Sequence, residues 1–432
     1  MKTLLKNCSI LVRTDKGYQV LSDSCIGIDG KMISYIDKTP DPETYDLIKD
    51  MTGKLVMPGL VNAHTHGPMT LLRGVGSGLS LQDWLNNAIF PIEAVMTPED
   101  IQAGAEAAVL EMLASGTTFF SEMYDFPWAE ASVVEKSGMK CNICRVGLCF
   151  DPSLPADQWP RTGECIDLVR NYRHAEGRVV PDFCLHSEYL TTENFVRAIS
   201  DANHELHAHV NIHVSETKKE HEECIQRRGK TPVAYLNDMG VLDEPCYLAH
   251  CVWVTDDDLK IMKEKNATLV HNPTSNMKLG SGFAPIAKAL AMGVNVALGT
   301  DGTASNNNLN MFEEMHIAAL LQKGYHNDPT LVSADQIIDM ATVNGAKAMG
   351  RTDTGEIAVG KCADLIALDM SAPHMHPCLD AANLIVYSAQ ASDVCMTMVD
   401  GQILYEDGKY PMLDQNRIIQ NLEKTVAKLL KL

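Results

Sequence analysis

Several features that would place a protein in a membrane, in a secreted compartment or on nucleic acid are missing from this 432-residue sequence. No stretch approaches the roughly 18 consecutive apolar residues of a membrane-spanning helix, and the first residues lack the apolar core of a signal peptide. Acidic residues outnumber basic ones by 56 to 36, which gives a formal net charge of −20. Such acidity argues against nucleic acid or an anionic membrane surface as a partner. We therefore expect a cytoplasmic protein that acts on a small molecule.

We also expect no disulfide framework in this chain. Its 13 cysteines are an odd number and lie scattered through apolar contexts, as buried, reduced thiols do. Cys141 and Cys144 have CxxC spacing, but no second pair or nearby histidine accompanies them, so this spacing alone does not indicate a zinc or redox site. The chain has no low-complexity linker and no internal repeat beyond an alternation of strands and helices.

That alternation is the main positive feature of the sequence. Length and a hydrophobic content of 45% allow one large α/β barrel or two to three ordinary domains. Between residues 58 and 354, short apolar strands alternate with helices, which favours a parallel sheet, and eight strands close a (β/α)8 barrel. The eight predicted strands are 61–63, 117–123, 142–149, 180–186, 210–214, 246–250, 268–272 and 294–300.

The two ends of the chain differ from this central region. Residues 1–57 contain short β-rich segments, and residues 355–432 return to β texture before an amphipathic helix from 416 to 432. We expect the two ends to join as one small composite β-sandwich domain beside the barrel of residues 58–354. The predicted fold class is therefore α/β, a TIM barrel with a β-sandwich.

Polar side chains stand at the ends of most predicted strands, where the active sites of such barrels lie. His64 and His66 end the first strand, and in an extended segment residues two apart project from the same face. Both imidazoles can therefore reach one centre. The residues at or near the ends of the later strands are Arg145 on the third, His186 on the fourth, His213 with Glu216 on the fifth, His250 on the sixth, His271 on the seventh and Asp301 on the eighth.

Four of these residues form a ligand set for a metal ion: His64, His66, His213 and Asp301. Three imidazoles and one carboxylate suit Zn²⁺ or Fe²⁺ and leave a position for water. We expect one metal ion per subunit, because the fourth strand ends in His186 and offers no lysine that could bridge a second ion. Water bound to such an ion has a pKa near neutrality and becomes a nucleophile.

Three side chains can take part in proton transfer around such a water molecule. Asp301 can accept its proton, and Glu216 is placed to carry that proton to a substrate. His250 can orient or polarise the hydroxide. Simpler interpretations also exist: Glu216 could be an acid at the N-terminus of a helix, and His250 a hydrogen-bonded buried histidine. The role of His271 stays open.

Five motifs follow one another along the chain in a fixed order. They are residues 58–66 (PGLVNAHTH), 212–217 (IHVSET), 249–252 (AHCV), 271–276 (HNPTSN) and 298–302 (LGTDG). Together they resemble the amidohydrolase superfamily, and more narrowly its 5-methylthioadenosine/S-adenosylhomocysteine deaminase group. The resemblance runs from about residue 29 to the C-terminus. It implies a distorted (β/α)8 barrel with a β-sandwich built from both chain ends.

The resemblance also implies catalytic roles. The four proposed ligands match the metal ligands of the family, where the ion is usually zinc. Glu216 matches the acid that protonates the purine ring nitrogen, and His250 and Asp301 match the residues that activate the attacking water.

Substrate contacts are implied in the same way. Glu93 matches a carboxylate that accepts hydrogen bonds from the ribose hydroxyls, as a diol requires. Arg145 and His186 match further substrate contacts. Arg161 falls near the arginine that meets the amino-acid carboxylate of S-adenosylhomocysteine, in a loop of different length. One departure concerns Glu188, which stands where the family commonly has proline, close to a histidine that matches a substrate contact.

These observations predict metal-dependent hydrolytic deamination of an adenosine-type nucleoside such as 5-methylthioadenosine or S-adenosylhomocysteine, with loss of ammonia from C6. The alternative is another amidohydrolase, such as a guanine deaminase or a triazine chlorohydrolase. A non-catalytic scaffold would not need the complete ligand set. The expected partner is a small-molecule nucleoside, and the sequence is compatible with a homo-oligomer. Apolar residues that could cover a 5′-substituent, or simply pack in the barrel, are Met69, Leu71, Leu72, Leu79 and Trp84.

Overall fold

Eight parallel strands form the barrel in the computed structural model, which describes residues 1–39, 44–172 and 177–431. Neighbouring strands pair in sequence order, and the last strand lies beside the first. The backbone N–H of Asp301 donates to the carbonyl of His64 over 3.0 Å, which joins the ends of these two strands. The barrel strands, numbered after five that precede them, are β6 (Leu60–Thr65), β7 (Thr117–Tyr124), β8 (Lys140–Arg145), β9 (Val179–Ser187), β10 (Val210–Val214), β11 (Cys246–His250), β12 (Thr268–His271) and β13 (Asn295–Leu298).

The predicted barrel is confirmed, except that the C-terminal end of its third strand was predicted wrongly. Strands β10 and β11 have the predicted bounds, and most others differ by one or two residues. The third strand was expected to reach residue 149 but ends at Arg145. Beyond it, the backbone at Gly147 passes so close to β9 that an added Cβ would lie 2.2 Å from the Cys184 carbonyl oxygen. The backbone nevertheless still contacts β9 here, since the N–H of His186 donates to the Gly147 carbonyl over 2.8 Å.

A second sheet of eight strands combines both ends of the chain, as the sequence predicts. Its order is β16-β15-β14-β5-β1-β2-β3, and β4 pairs with β1. The strands β1 and β5 run parallel, whereas β5 and β14, which connect the two chain ends, run antiparallel. The strands are β1 (Lys2–Thr14), β2 (Gly17–Asp29), β3 (Met32–Asp37), β4 (Leu47–Asp50), β5 (Lys54–Pro58), β14 (Leu365–Asp369), β15 (Val394–Val399) and β16 (Gln402–Glu406).

A buried ion cluster joins the base of the barrel to this second sheet. The Lys140 ammonium, at the start of β8, lies 2.6 Å from a carboxylate oxygen of Asp364 and 2.6 Å from one of Asp400. Its side chain is only 2% exposed. Since a buried ammonium is tolerated only when it is paired, the two carboxylates hold the barrel and the sheet together.

Helices surround the barrel and several begin at a threonine. The side chains of Thr97, Thr192, Thr217, Thr231 and Thr255 each accept a backbone N–H from the first turn that follows. No helix among the described residues is long and apolar enough to cross a membrane. The helices are α1 (Leu81–Trp84), α2 (Phe90–Glu93), α3 (Pro98–Ala114), α4 (Pro127–Ser137), α5 (Pro160–Asn171), α6 (Glu193–Leu206), α7 (Lys218–Arg228), α8 (Pro232–Asp238), α9 (Asp256–Glu264), α10 (Pro273–Lys278), α11 (Ile286–Ala291), α12 (Met311–His326), α13 (Ala334–Met340), α14 (Val343–Ala348), α15 (Ala381–Tyr387) and α16 (Gln415–Leu430).

Candidate active site

The side chains of His64, His66, His213 and Asp301 converge at the carboxyl ends of β6, β10 and β13. Atom Oδ1 of Asp301 lies 3.5 Å from Nε2 of His64 and 3.1 Å from Nε2 of His66. The Nε2 atoms of His66 and His213 are 3.3 Å apart. Thr65, between the two histidines of β6, points the other way and donates to the Ser121 carbonyl over 2.7 Å. The alternation of an extended strand thus places both histidines on one side.

Two of these imidazoles are oriented by backbone carbonyls. The Nδ1 atom of His66 donates to the Met123 carbonyl over 2.6 Å, and that of His213 donates to the His186 carbonyl over 2.7 Å. A carbonyl only accepts hydrogen bonds, so each Nδ1 carries a proton and each Nε2 keeps its lone pair when the ring is neutral. Such an outer partner is typical of histidines that bind metal ions.

His64 provides a direct test of whether this cluster suits a metal ion. It is completely buried, and neither ring nitrogen has a hydrogen-bond partner within the described parts of the chain. Burial lowers the pKa of His64 to about 4, so its imidazole is neutral at pH 7. An unpaired buried nitrogen is costly, and a cation among these four residues would satisfy it. The donor set therefore fits a divalent metal ion.

Asp301 supplies the negative charge of the cluster. The backbone N–H of Gly302 donates to its Oδ1 over 2.8 Å, and the hydroxyls of Ser275 and Ser305 donate to its Oδ2 over 2.6 and 2.9 Å. Burial alone would raise the pKa of Asp301, but its contacts with the neighbouring histidines hold that pKa well below its usual range. Asp301 is therefore a carboxylate at neutral pH.

Glu216 and His250 lie beside the cluster and line the same cavity. Atom Nε2 of His250 is 3.9 Å from a carboxylate oxygen of Glu216, and Nδ1 of His250 is 2.8 Å from the side-chain oxygen of Asn276. Burial raises the pKa of Glu216. The position at the start of α7 is filled by Glu220, which accepts the backbone N–H groups of Ser215 and Glu216 over 2.8 and 2.7 Å. The Glu216 carboxyl group is thus left to face the cavity.

A cavity open to solvent contains His66, His213 and Asp301 in its wall. Glu93 and Tyr124 also line it, and the Tyr124 hydroxyl donates to the Glu93 carboxylate over 2.5 Å. Burial raises the pKa of Glu93 to about 7. Its wall combines many apolar side chains with a few charged groups, as the sites of small-molecule ligands commonly do.

The segment between β6 and α2 forms much of the apolar wall. Met69 and Trp84 line the cavity, and Leu71 and Leu72 are buried in the same apolar cluster. Leu79 is different, because 41% of it is exposed. The segment therefore covers the cavity through some of its apolar residues, while others only pack beneath them.

The structure places the remaining predicted substrate residues in two groups. His186 lines the cavity, but Arg145 and Arg161 do not. Both arginines instead form ion pairs with Asp125, which does line the cavity. Asp125 was missed in the sequence, although it lies two residues after the second predicted strand and the strand-end rule could have identified it.

Glu188 points away from the cavity. Its side chain is only 1% exposed and forms ion pairs with Arg227, over 2.6 Å, and with Arg228 on α7. Its neighbour Tyr189 lines the cavity. Glu188, which stands where the family commonly has proline, therefore connects the end of β9 to α7 and places no acid in the cavity.

Barrel, cluster and cavity together have the form of a hydrolase site whose side chains could hold a divalent metal ion. The sequence matches the model of the amidohydrolase family over residues 55–404, and the chain therefore belongs to this family. This membership confirms the resemblance indicated by the five motifs.

Individual relatives are similar over their whole lengths. A 5-methylthioadenosine/S-adenosylhomocysteine deaminase from Acetivibrio thermocellus is 41% identical, and the alignment covers 100% of both chains. A 5′-deoxyadenosine deaminase from Methanosarcina mazei is also 41% identical, over 99% of this chain and 98% of the relative. The crystal structure of an adenosine deaminase from Xanthomonas campestris with bound zinc superimposes with a TM-score of 0.93 at 30% identity, covering 100% of this chain and 99% of that one.

Proposed function

We propose that this protein is a zinc-dependent deaminase that hydrolyses adenosine-type nucleosides to the inosine-type product and ammonia. The observation that carries the proposal is the position of the Glu216 and His250 pair. It faces the same cavity as His66, His213 and Asp301, and its atoms lie 3.9 Å apart. The names of the relatives support a substrate of this class.

The proposed ligands are His64, His66, His213 and Asp301. A zinc ion held there would lower the pKa of a water molecule and so supply a nucleophile at neutral pH. Zinc is favoured over ferrous iron by the zinc in the Xanthomonas campestris structure.

The protein's own side chains would then move the protons. Because burial raises the pKa of Glu216, this carboxyl group holds its proton more readily than an exposed acid and can donate it to the purine ring nitrogen. His250, fixed by Asn276, orients the attacking water, and Asp301 accepts a proton from it. The amino group would take that proton from Asp301 as the C6–N bond breaks and leave as ammonia, while the proton of the C6 hydroxyl would return to Glu216.

Recognition of the sugar would fall to Glu93. Its carboxylate lies in the cavity wall and is held by the Tyr124 hydroxyl through a single oxygen, Oε1. The second oxygen can accept a hydrogen bond from a ribose hydroxyl. His186 would contact the purine from the same wall.

A panel of nucleosides tests the proposed function. We expect ammonia release and loss of adenine-type ultraviolet absorbance with 5-methylthioadenosine, 5′-deoxyadenosine, adenosine or S-adenosylhomocysteine. Guanine and a chlorinated triazine serve as the alternative substrates. Turnover of either alternative with none of the four nucleosides would replace the proposal with that activity, and no turnover at all with zinc-loaded protein would refute it.

Glu188→Gln is expected to leave kcat/KM for the best nucleoside within about threefold, because this side chain faces α7 and not the cavity. Loss of two charge-assisted contacts from a buried carboxylate should lower the free energy of unfolding by about 1–3 kcal/mol. Urea unfolding measures this loss. The control is Glu193→Gln, which removes an acid that is 56% exposed and should change stability by less than about 0.5 kcal/mol. A large drop in kcat/KM with unchanged stability would contradict the structural role of Glu188.

A further inference from the structure

Asp125 joins two arginines at the wall of the cavity. Atom Oδ1 of Asp125 accepts from Nη1 of Arg145 and, over 2.8 Å, from Nη1 of Arg161. Arg145 also donates to Glu164 over 2.8 Å. The side chains of Arg145 and Arg161 are 11% and 22% exposed, so both guanidinium groups are largely enclosed. These four side chains carry two positive and two negative charges, so the cluster that they form is neutral.

Only one member of this cluster lines the cavity, and that member is Asp125. Its second oxygen, Oδ2, accepts no hydrogen bond from any residue that the structure describes. Asp125 follows Tyr124, which binds Glu93, so Asp125 lies at the end of the cavity that we assign to the sugar. A ligand group beyond the ribose would therefore meet a carboxylate before it could reach either arginine.

We propose that Asp125 determines specificity by occupying the arginine pair in place of a substrate carboxylate, so that uncharged 5′-substituents are preferred. This inference rests on the proposed nucleoside deamination. A substrate carboxylate would have to displace Asp125 from Arg145 and Arg161 and would lie beside it. Two carboxylates that contact the same arginines repel each other in an enclosed site, whereas a methylthio or methyl group is not repelled.

The test compares two thioethers of nearly equal size that differ in one charge: 5′-S-(2-carbamoylethyl)-5′-thioadenosine and 5′-S-(2-carboxyethyl)-5′-thioadenosine. Wild-type protein should have the higher kcat/KM for the uncharged compound. In Asp125→Asn the ratio of the two values should move toward the carboxylate by about tenfold or more, the order of one charge-assisted hydrogen bond. The reason is that both arginines lose the anion in the cavity wall and keep only Glu164, while the side chain at position 125 keeps its size.

Glu164→Gln is the matched control. It removes the same charge from the same arginines, but Glu164 is 50% exposed and does not line the cavity, so the ratio should stay within about twofold. An unchanged ratio in Asp125→Asn, or a ratio that moves away from the carboxylate, would overturn the specificity role. Equal shifts in both variants would also overturn it, since net charge alone would then explain the result. Failure of the proposed function looks different, because wild-type protein would then deaminate neither compound.

Discussion

Glu216→Gln is expected to lower kcat by about 10²–10⁴-fold, the usual contribution of a positioned general acid or base. Glutamine has nearly the same shape as glutamic acid but cannot donate a proton to a ring nitrogen. The Glu216 carboxyl group faces the cavity 3.9 Å from Nε2 of His250, and among the described residues no other acid forms an ion pair with that histidine. Steady-state kinetics with the best nucleoside of the panel measures the effect.

Metal content separates this effect from damage to the ligand cluster. The variant should retain the metal content of the wild type, because Glu216 is not one of the four proposed ligands. Glu223→Gln, on the helix α7 that follows Glu216, is the control: it removes an acid that is 40% exposed and paired with Lys219, and kcat should not change. Full activity in Glu216→Gln would show that the proton moves by another route, and loss of metal would make Glu216 part of the ligand set.

Much of the barrel could be predicted because its signals are local. The bounds of β10 and β11 follow from short apolar runs between helices, and the common side of His64 and His66 follows from strand alternation. Parallel strands all end at one face of a barrel, so listing the residues at their ends brings distant parts of the chain together. This rule needs no knowledge of how side chains pack.

Contacts that depend on side-chain direction could not be predicted in this way. Arg145 and Arg161 lie 20 and 36 residues from Asp125 in the sequence, and only the structure brings all three together. The direction of the Glu188 side chain is a second example: its position two residues after His186 suggests a cavity residue, whereas the chain just beyond β9 directs it toward Arg227 on α7. In both cases the sequence identifies the charged groups but not their partners.

His64→Ala is expected to abolish binding of the metal ion and to lower kcat by at least about a thousandfold. A bound divalent ion contributes several kcal/mol to a hydrolytic transition state, and each ~1.4 kcal/mol is a factor of ten in rate. His64 is completely buried with both nitrogens unpaired in the part of the chain that is described, so no water or surface group replaces it easily. Elemental analysis and kinetics of the purified variant measure the two losses together.

His271→Asn is the control for this ligand assignment. His271 is also fully buried with unpaired ring nitrogens, and burial lowers its pKa to about 3, but it belongs to neither group of side chains placed to hold an ion among the described residues. The His271 variant should therefore keep its metal, although its stability is expected to fall. Removing the ion from wild-type protein with a chelator should reproduce the loss of activity, and adding back Zn²⁺ or Fe²⁺ separately identifies the ion that restores it. Equal activity in His64→Ala and wild type would contradict the metal assignment. The three remaining residues would then be enough for a reaction that is proposed to need four ligands.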